Sequence, residues 1–378
     1  MEQVNSILIV GAGIAGLTLA TALRRKGINA DVIEIKSDVR QQPGVGLSMQ
    51  GNSLAALGRI GLAGSVLRHS IPGSYLNIRR PDGMLLTHQA LLPMGGAGYP
   101  GTAGVSRSRL HEILLDAAGN AGAQMRFGLT FQTLQDNGDS VDAVFSDGSQ
   151  RRYDLVIGAD GLYSKVRTLL FPEVNPRHLG QAVWRAGVKR MPGNFTTELH
   201  FGGAYGVAGI CPVTEDTAYV YIVESANEGT RYSEEQLAPL MMSKLESYSS
   251  PMLADAARQL PNSSSISFRP LETLLVDGSW YRSRIMIIGD AAHCGPPVLA
   301  QGAAMGIEDA VVLAEVLADT RDSLSQRLEK FMKRRLPRVA LVVRNSVQLC
   351  EWEVTHQATP QDVGRVMRES QMALCEPF

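Results

Sequence analysis

Apolar residues in this chain gather into short runs that stop abruptly at glycine. Ile7–Val10 runs into Gly11, and Ile285–Ile288 runs into Gly289-Asp290. Between them, "DLVIGADGLYSKVR" at 154–167 repeats the pattern of strand, glycine, carboxylate and helix start. Short apolar runs bounded by turn residues predict buried strands. In "SILIVGAGIAGLTLATALRRKGINADVIEI" a helix follows to about Lys26, Gly27 stops it, and a second strand covers Asp31–Ile35. This is one βαβ unit. "RSRLHEILLDAAG", starting at Arg107, predicts an amphipathic helix.

The pattern changes over roughly 176–264. "TTELHFGGAYGVAGICPVTEDTAYVYIVES" holds short β-rich pieces split by Gly-Gly and Thr-Glu-Asp turns, the signature of an antiparallel sheet. The αβ pattern returns at 282–318, and the tail from about 325 reads as helical apart from Pro337. The expected class is α/β. A discontinuous Rossmann-like domain (1–75, 100–175 and 265–335) is interrupted by an antiparallel-sheet substrate domain (76–99 and 176–264). A helical segment, 336–378, closes the chain.

Composition narrows the function more than the fold. The 378 residues are 44 % hydrophobic and 19 % charged, ordinary for a soluble protein with a sizeable core. A net charge of −1 without a dense Lys/Arg tract argues against nucleic acid as the principal ligand. Cys211, Cys294, Cys350 and Cys375 have neither zinc spacing nor the density of a secreted disulfide frame, and no histidine offers ligand spacing, so no metal is expected. The first apolar run is too short for a secretory signal, and none approaches the roughly 18–20 residues of a membrane span. A cytoplasmic location is expected.

Gly11-Ala-Gly13-Ile-Ala15-Gly16 fits the dinucleotide fingerprint G-x-G-x-x-G between a strand and a helix. Gly11 permits the tight turn, Gly13 lets the backbone approach a pyrophosphate, and Gly16 lets helix and strand pack closely. Glu34 ends the second strand, where a carboxylate can accept from a ribose diol. This motif alone does not choose between NAD and FAD.

Two further strand ends bear Asp far downstream. With "GAGIAG" (11–16), "DLVIGADGLYSKVR" (154–167), "GDAAHCGPP" (289–297) and "RLPR" (335–338), the chain resembles the FAD-dependent single-component aromatic hydroxylases related to p-hydroxybenzoate and salicylate hydroxylases. The likeness covers nearly the whole chain. It implies that Asp290 bonds a ribityl hydroxyl of FAD, and that Gly302 and Ala303 open a helix facing the flavin. Asp160 is implied either to organise its own turn, with Arg167 nearby, or to touch cofactor. Arg107 matches an FAD-contacting arginine of relatives. Arg40 lies near the corresponding flavin-side arginine, although "RQQPGVG" carries one residue more than the usual spacing. His293 is implied to shape the Gly-Asp turn and not to act as a base.

The resemblance also implies the reaction. NADPH or NADH reduces FAD, oxygen adds to give a flavin hydroperoxide, and one oxygen passes to an electron-rich aromatic or N-heteroaromatic ring. "PPVLAQGAAMG" is reminiscent of pyridine-ring oxygenases within the family. Tyr219 and Tyr221, two apart, share one face of a strand and are candidate substrate contacts. Others are Tyr205 after Gly202-Gly203, Trp184-Arg185 as a wall with Arg185 facing an anionic group, and Pro297 on the substrate side. A reductase or halogenase of the same fold is the alternative, the second of these disfavoured by the lack of a W-x-W-x-I-P segment. So is a non-catalytic flavin protein that sequesters an aromatic ligand. The expected assembly is a monomer or homodimer.

Overall fold

The computed structural model describes residues 3–39, 45–263, 265–355 and 357–378. Arg40 lies outside them. The three glycine-terminated runs lie side by side in a six-stranded sheet, where Ile7 pairs with Leu155 and Val156 with Ile285, all parallel. Asn29–Glu34 and Gln124–Phe127 extend the sheet beyond Ser6–Val10, and the short strand Tyr281–Arg282 closes the other edge antiparallel. Ile7, Leu8, Ile9, Leu155, Val156 and Ile157 are wholly buried, which is why these strands read as unbroken apolar runs. The helices Ile14–Arg25 and Gly302–Leu317 pack on one another beside the sheet.

A second sheet has eight strands. Its central members, Arg177–Lys189, Thr217–Ser225, Gly206–Pro212 and Thr197–Gly203, form the antiparallel array. The chain also visits it earlier, with Tyr75–Arg79 and Leu85–Ala90, and later, with Ser267–Leu275. The sheet therefore continues past residue 264, where sequence patterning ends it. Ser267–Leu275 buries Leu271 and Leu274 while pairing with Arg177–Lys189, so it belongs to the large sheet. One face of this sheet carries Trp184, Val220 and Ile222 and is covered by the helices Glu234–Glu246 and Pro251–Gln259. The other face, called inner here, meets Val45 and the helix Leu324–Thr355 through Val347 and Cys350.

That last helix runs straight through Pro337, which patterning treats as a break. Proline removes one N–H and crowds the preceding turn. Here Pro337 and Lys333, whose carbonyl loses its donor, are both exposed, so water can take the missing bond. On the opposite side Arg335, Val339, Val342 and Val343 are buried and hold the helix in place.

Candidate functional site

The fingerprint loop is tightly constrained. Gly11 has φ +108°, and a Cβ there would lie 2.5 Å from the Ala159 carbonyl oxygen. A Cβ on Gly16 would lie 2.0 Å from the Gly11 oxygen, whereas one on Gly13 meets nothing within 4 Å. The two closed positions lock strand, loop and helix together, and the open one leaves backbone bare toward whatever binds. Glu34 accepts from the Ala12 N–H at 3.0 Å and the Lys36 N–H at 3.0 Å, which holds its carboxylate at the loop. His111, from the helix Arg107–Asn120, reaches the Ala12 carbonyl at 2.7 Å.

Asp160 serves its own turn. It accepts from Ser164 Oγ at 2.5 Å, from the Lys165 N–H at 2.8 Å and from the Val166 N–H at 3.1 Å, the start of the helix Lys165–Leu170. Arg167, buried, donates to the Ala291 carbonyl at 3.2 Å and so ties this turn to the Gly-Asp loop.

Asp290 is exposed to solvent, yet desolvation is the largest influence on its carboxyl and pushes it up, against the pull of His293 and Arg107. An accessible but poorly solvated carboxylate marks the floor of a cleft, not a convex surface. Ala15 is wedged above it: a Cβ on Gly289 or Gly306 would lie 3.1 or 3.2 Å from Ala15 Cβ. Beyond the exposed Pro297, Ala300 takes the left-handed conformation (φ 52°, ψ 33°), rare for a residue with a side chain and a mark of a constrained site. Gly302 is exposed, Ala303 half-buried, and no side chain caps the helix they open.

Beneath this loop lies a polar network that sequence reasoning missed. Asp309 Oδ2 accepts from the Gly289 N–H at 3.0 Å and meets His293 Nε2 at 2.6 Å, while Oδ1 accepts from Arg335 at 2.8 Å. Burial alone would push the Asp309 carboxyl up, but His293 and Arg335 hold it below its ordinary range. Glu308 binds Arg335 at 2.6 Å and Arg338 at 2.9 Å, and accepts from Asn52 at 2.7 Å; Asn52 also donates to Gln301 at 2.9 Å. His293 is therefore a support of the turn. The signal lay in "GIEDA", whose two carboxylates interrupt an otherwise apolar helical run.

The substrate candidates divide by sheet face. Arg185 pairs with Tyr221 and Gly187 with Tyr219, on the inner face. The rings of Tyr219 and Tyr221 are 5.9 Å apart, the first against Gly46 and Val213, the second over Gly209. Trp184 points the other way, donating to Glu224 at 2.7 Å among the covering helices, so it forms no wall with Arg185. Tyr205 is also elsewhere. The strand continues through Gly203, and Gly203 pairs with Gly206, which makes Tyr205 an exposed residue of the two-residue turn. The Lys244 ammonium of the covering helix lies 4.0 Å from its ring centroid. His200 likewise turns to that side, bonding Ser250 at 2.9 Å. The Arg107 charge acts on both Asp290 and Arg185.

Residues 5–346 match the model of the FAD binding domain family. The chain belongs to this family. It is 31 % identical to a 2-heptyl-3-hydroxy-4(1H)-quinolone synthase of Pseudomonas aeruginosa, over 92 % of this chain and 90 % of that one. It is 30 % identical to a 3-amino-4-hydroxybenzoate 2-monooxygenase of Streptomyces platensis, over 90 % and 86 %. The fold is shared with Klebsiella pneumoniae HpxO solved with FAD and uric acid (TM-score 0.84, 23 % identity, 98 % and 97 % covered). As an FAD binding domain protein, the chain uses FAD as its cofactor, and its enzyme class is FAD-dependent monooxygenase. The cleft suits that group: open backbone at Gly13, the carboxylates of Glu34 and Asp290 at two strand ends, and an uncapped helix start at Gly302. Asp290→Ala should weaken FAD roughly ten- to a hundredfold, the loss of one hydrogen bond to a charged acceptor. Fluorescence titration of FAD into the stripped protein measures this; unchanged affinity would remove Asp290 from the cofactor contacts. Among the described residues, no helix is long and apolar enough to cross a membrane.

Proposed function

We propose that this monooxygenase hydroxylates a small electron-rich aromatic or N-heteroaromatic ring, with NADPH or NADH as electron donor. The observation that carries the reading is the gathering of Tyr219, Tyr221 and Arg185 on the inner sheet face, within the field of the Arg107 charge that also acts on Asp290. Bound FAD would supply the redox chemistry, accepting electrons from nicotinamide and activating oxygen for transfer to the ring. Gly11, Gly13, Ala15, Gly16, Glu34, Arg107, Asp290, Gly302 and Ala303 would hold it.

The protein's own part is orientation. Desolvation raises the Tyr219 and Tyr221 hydroxyls well above their ordinary pKa, so both keep their protons at neutral pH and act as donors, not bases. Tyr219 packs against Cys211, a thiol that burial also keeps protonated. A ring held against these two tyrosines gains area and a donor for its oxygen.

Phenols and hydroxypyridines should stimulate oxygen uptake with NADPH or NADH, with product mass raised by one oxygen. No stimulation by any of them would favour the sequestering protein instead. Tyr219→Phe should lower kcat/KM by roughly tenfold, the worth of one hydrogen bond. It should also lower the ratio of product to NAD(P)H consumed, with FAD retained. Tyr205→Phe, at the turn, should change neither; if it uncouples the enzyme and Tyr219→Phe does not, the faces have been assigned wrongly.

A further inference from the structure

The helix Pro360–Cys375 is well capped at its start and depends on another helix at its end. Thr359 and Asp362 form a capping box, and Pro360 occupies the first turn. The last turn carries no basic residue, and Glu376, not glycine, follows it. Its final carbonyls therefore need donors from elsewhere. Arg338, on Leu324–Thr355, supplies them. Its Nη1 donates to the Ala373 carbonyl at 2.6 Å and the Glu376 carbonyl at 3.1 Å, and its Nη2 to the Leu374 carbonyl at 3.2 Å.

The same guanidinium grips Glu308 on its other side, Nε lying 2.9 Å from Oε2 and Nη2 3.0 Å from Oε1. That two-bond pairing needs the planar fork. Glu308 is wholly buried and accepts from Asn52, whose amide exchanges bonds with that of Gln301 at 2.9 and 3.3 Å. Gln301 immediately precedes Gly302. Arg338, Glu308, Asn52 and Gln301 thus form one chain of bonds from the outer helix to the helix start at the cofactor cleft.

The outer helix is lightly held. It packs on Leu324–Thr355, buries Val366, Ser370 and Leu374, and receives a bond from Asn345 to Ser370 at 2.9 Å. Its other residues are half-buried or exposed. An element with so little buried surface opens more readily than the core behind it. When it leaves, Arg338 loses the carbonyls, and water competes with the guanidinium for Glu308.

We propose that Arg338 is a positioning residue that links docking of Pro360–Cys375 to cofactor binding, so that each steadies the other. Linkage makes the effect equal in both directions. The proposal rests on the placing of FAD at Gly302, not on the ring chemistry.

Hydrogen exchange over residues 360–375, measured by mass spectrometry with and without FAD, tests it beside FAD titration of the stripped protein. In the parent, saturating FAD should slow exchange of this helix roughly fivefold or more. Arg338→Met should weaken FAD by a similar factor and abolish its effect on the exchange. Arg338→Lys should recover part of the melting temperature but not the linkage, because an ammonium is a point charge without the fork. Val366→Asp buries an unpaired charge under the helix and should undock it with Arg338 untouched. FAD should then weaken by the factor seen in the parent's exchange. Val366 lies apart from the main core, so this variant decides the matter even if Arg338→Met fails to fold. Four outcomes overturn the proposal: parental exchange over 360–375 that ignores FAD; an Arg338→Met protein that melts lower yet keeps the exchange response; a Val366→Asp protein with an undocked helix and parental FAD affinity; or full linkage in Arg338→Lys. None of these measurements needs turnover, so the hydroxylase reading stands or falls separately.

Discussion

Arg335→Ala is expected to cost about 3–5 kcal/mol of folding free energy, the usual consequence of removing one partner from a buried charge cluster. The Arg335 side chain is wholly buried, as are those of Glu308 and Asp309. Without it, Asp309 keeps only His293 and the Gly289 N–H, and Glu308 keeps Arg338 and Asn52. Two carboxylates would then share too little positive charge in a medium that solvates them poorly. The damage reaches the cofactor cleft because Asp309 holds the Gly-Asp loop and Glu308, through Asn52, holds Gln301 at the helix start. Urea unfolding with and without FAD measures both effects. A loss under about 1 kcal/mol, with FAD affinity intact, would mean that the cluster merely fills space.

Gly11→Ala should be nearly as severe. At φ +108° a side chain is strained by about 1–3 kcal/mol even without neighbours. The added methyl would also strike the Ala159 carbonyl, which belongs to the backbone and cannot swing aside. The strand ends carrying Gly11 and Asp160 must separate, and FAD affinity should fall roughly a hundredfold or more. Gly13→Ala is the informative contrast. Its methyl meets no protein atom within 4 Å, so the melting temperature of the FAD-free protein should hold while FAD binding weakens. Equal effects of the two substitutions on FAD-free stability would show that Gly13 is also a structural position.

The glycine turns and strand-end carboxylates of the proposed cofactor site are legible in the sequence because backbone geometry dictates them. Gly11 and Gly16 are required by close approach, and Asp160 and Asp290 follow apolar strands that must end there. The cluster under the cleft is not legible, since Arg335 finds Glu308 and Asp309 only when two helices pack. Residue spacing shows charges but not their partners. Tyr219 and Tyr221 could be placed on one face by strand alternation alone, and the structure puts Arg185 there with them. Tyr205 could not, because alternation ends at a turn and the turn lies one step beyond Gly202-Gly203. Pro337 misleads for a related reason: its cost depends on whether water can reach the freed carbonyl, which periodicity does not record.

The threading of the chain between its two largest sheets bears on how the molecule is made and how it can be cut. Ile7 leaves synthesis early but its partner Leu155 comes much later, and Val156 must wait in turn for Ile285. The edge of the first half-built sheet therefore stays open while most of the chain emerges, a condition that slows folding and invites association with other nascent chains. Cleavage in the loop between Ser225 and Glu234 would sever the peptide without freeing either sheet as a separate piece, because both fragments contribute strands to both. Such a nicked protein should migrate as an intact particle until denatured, and neither fragment expressed alone would supply a minimal FAD-binding unit.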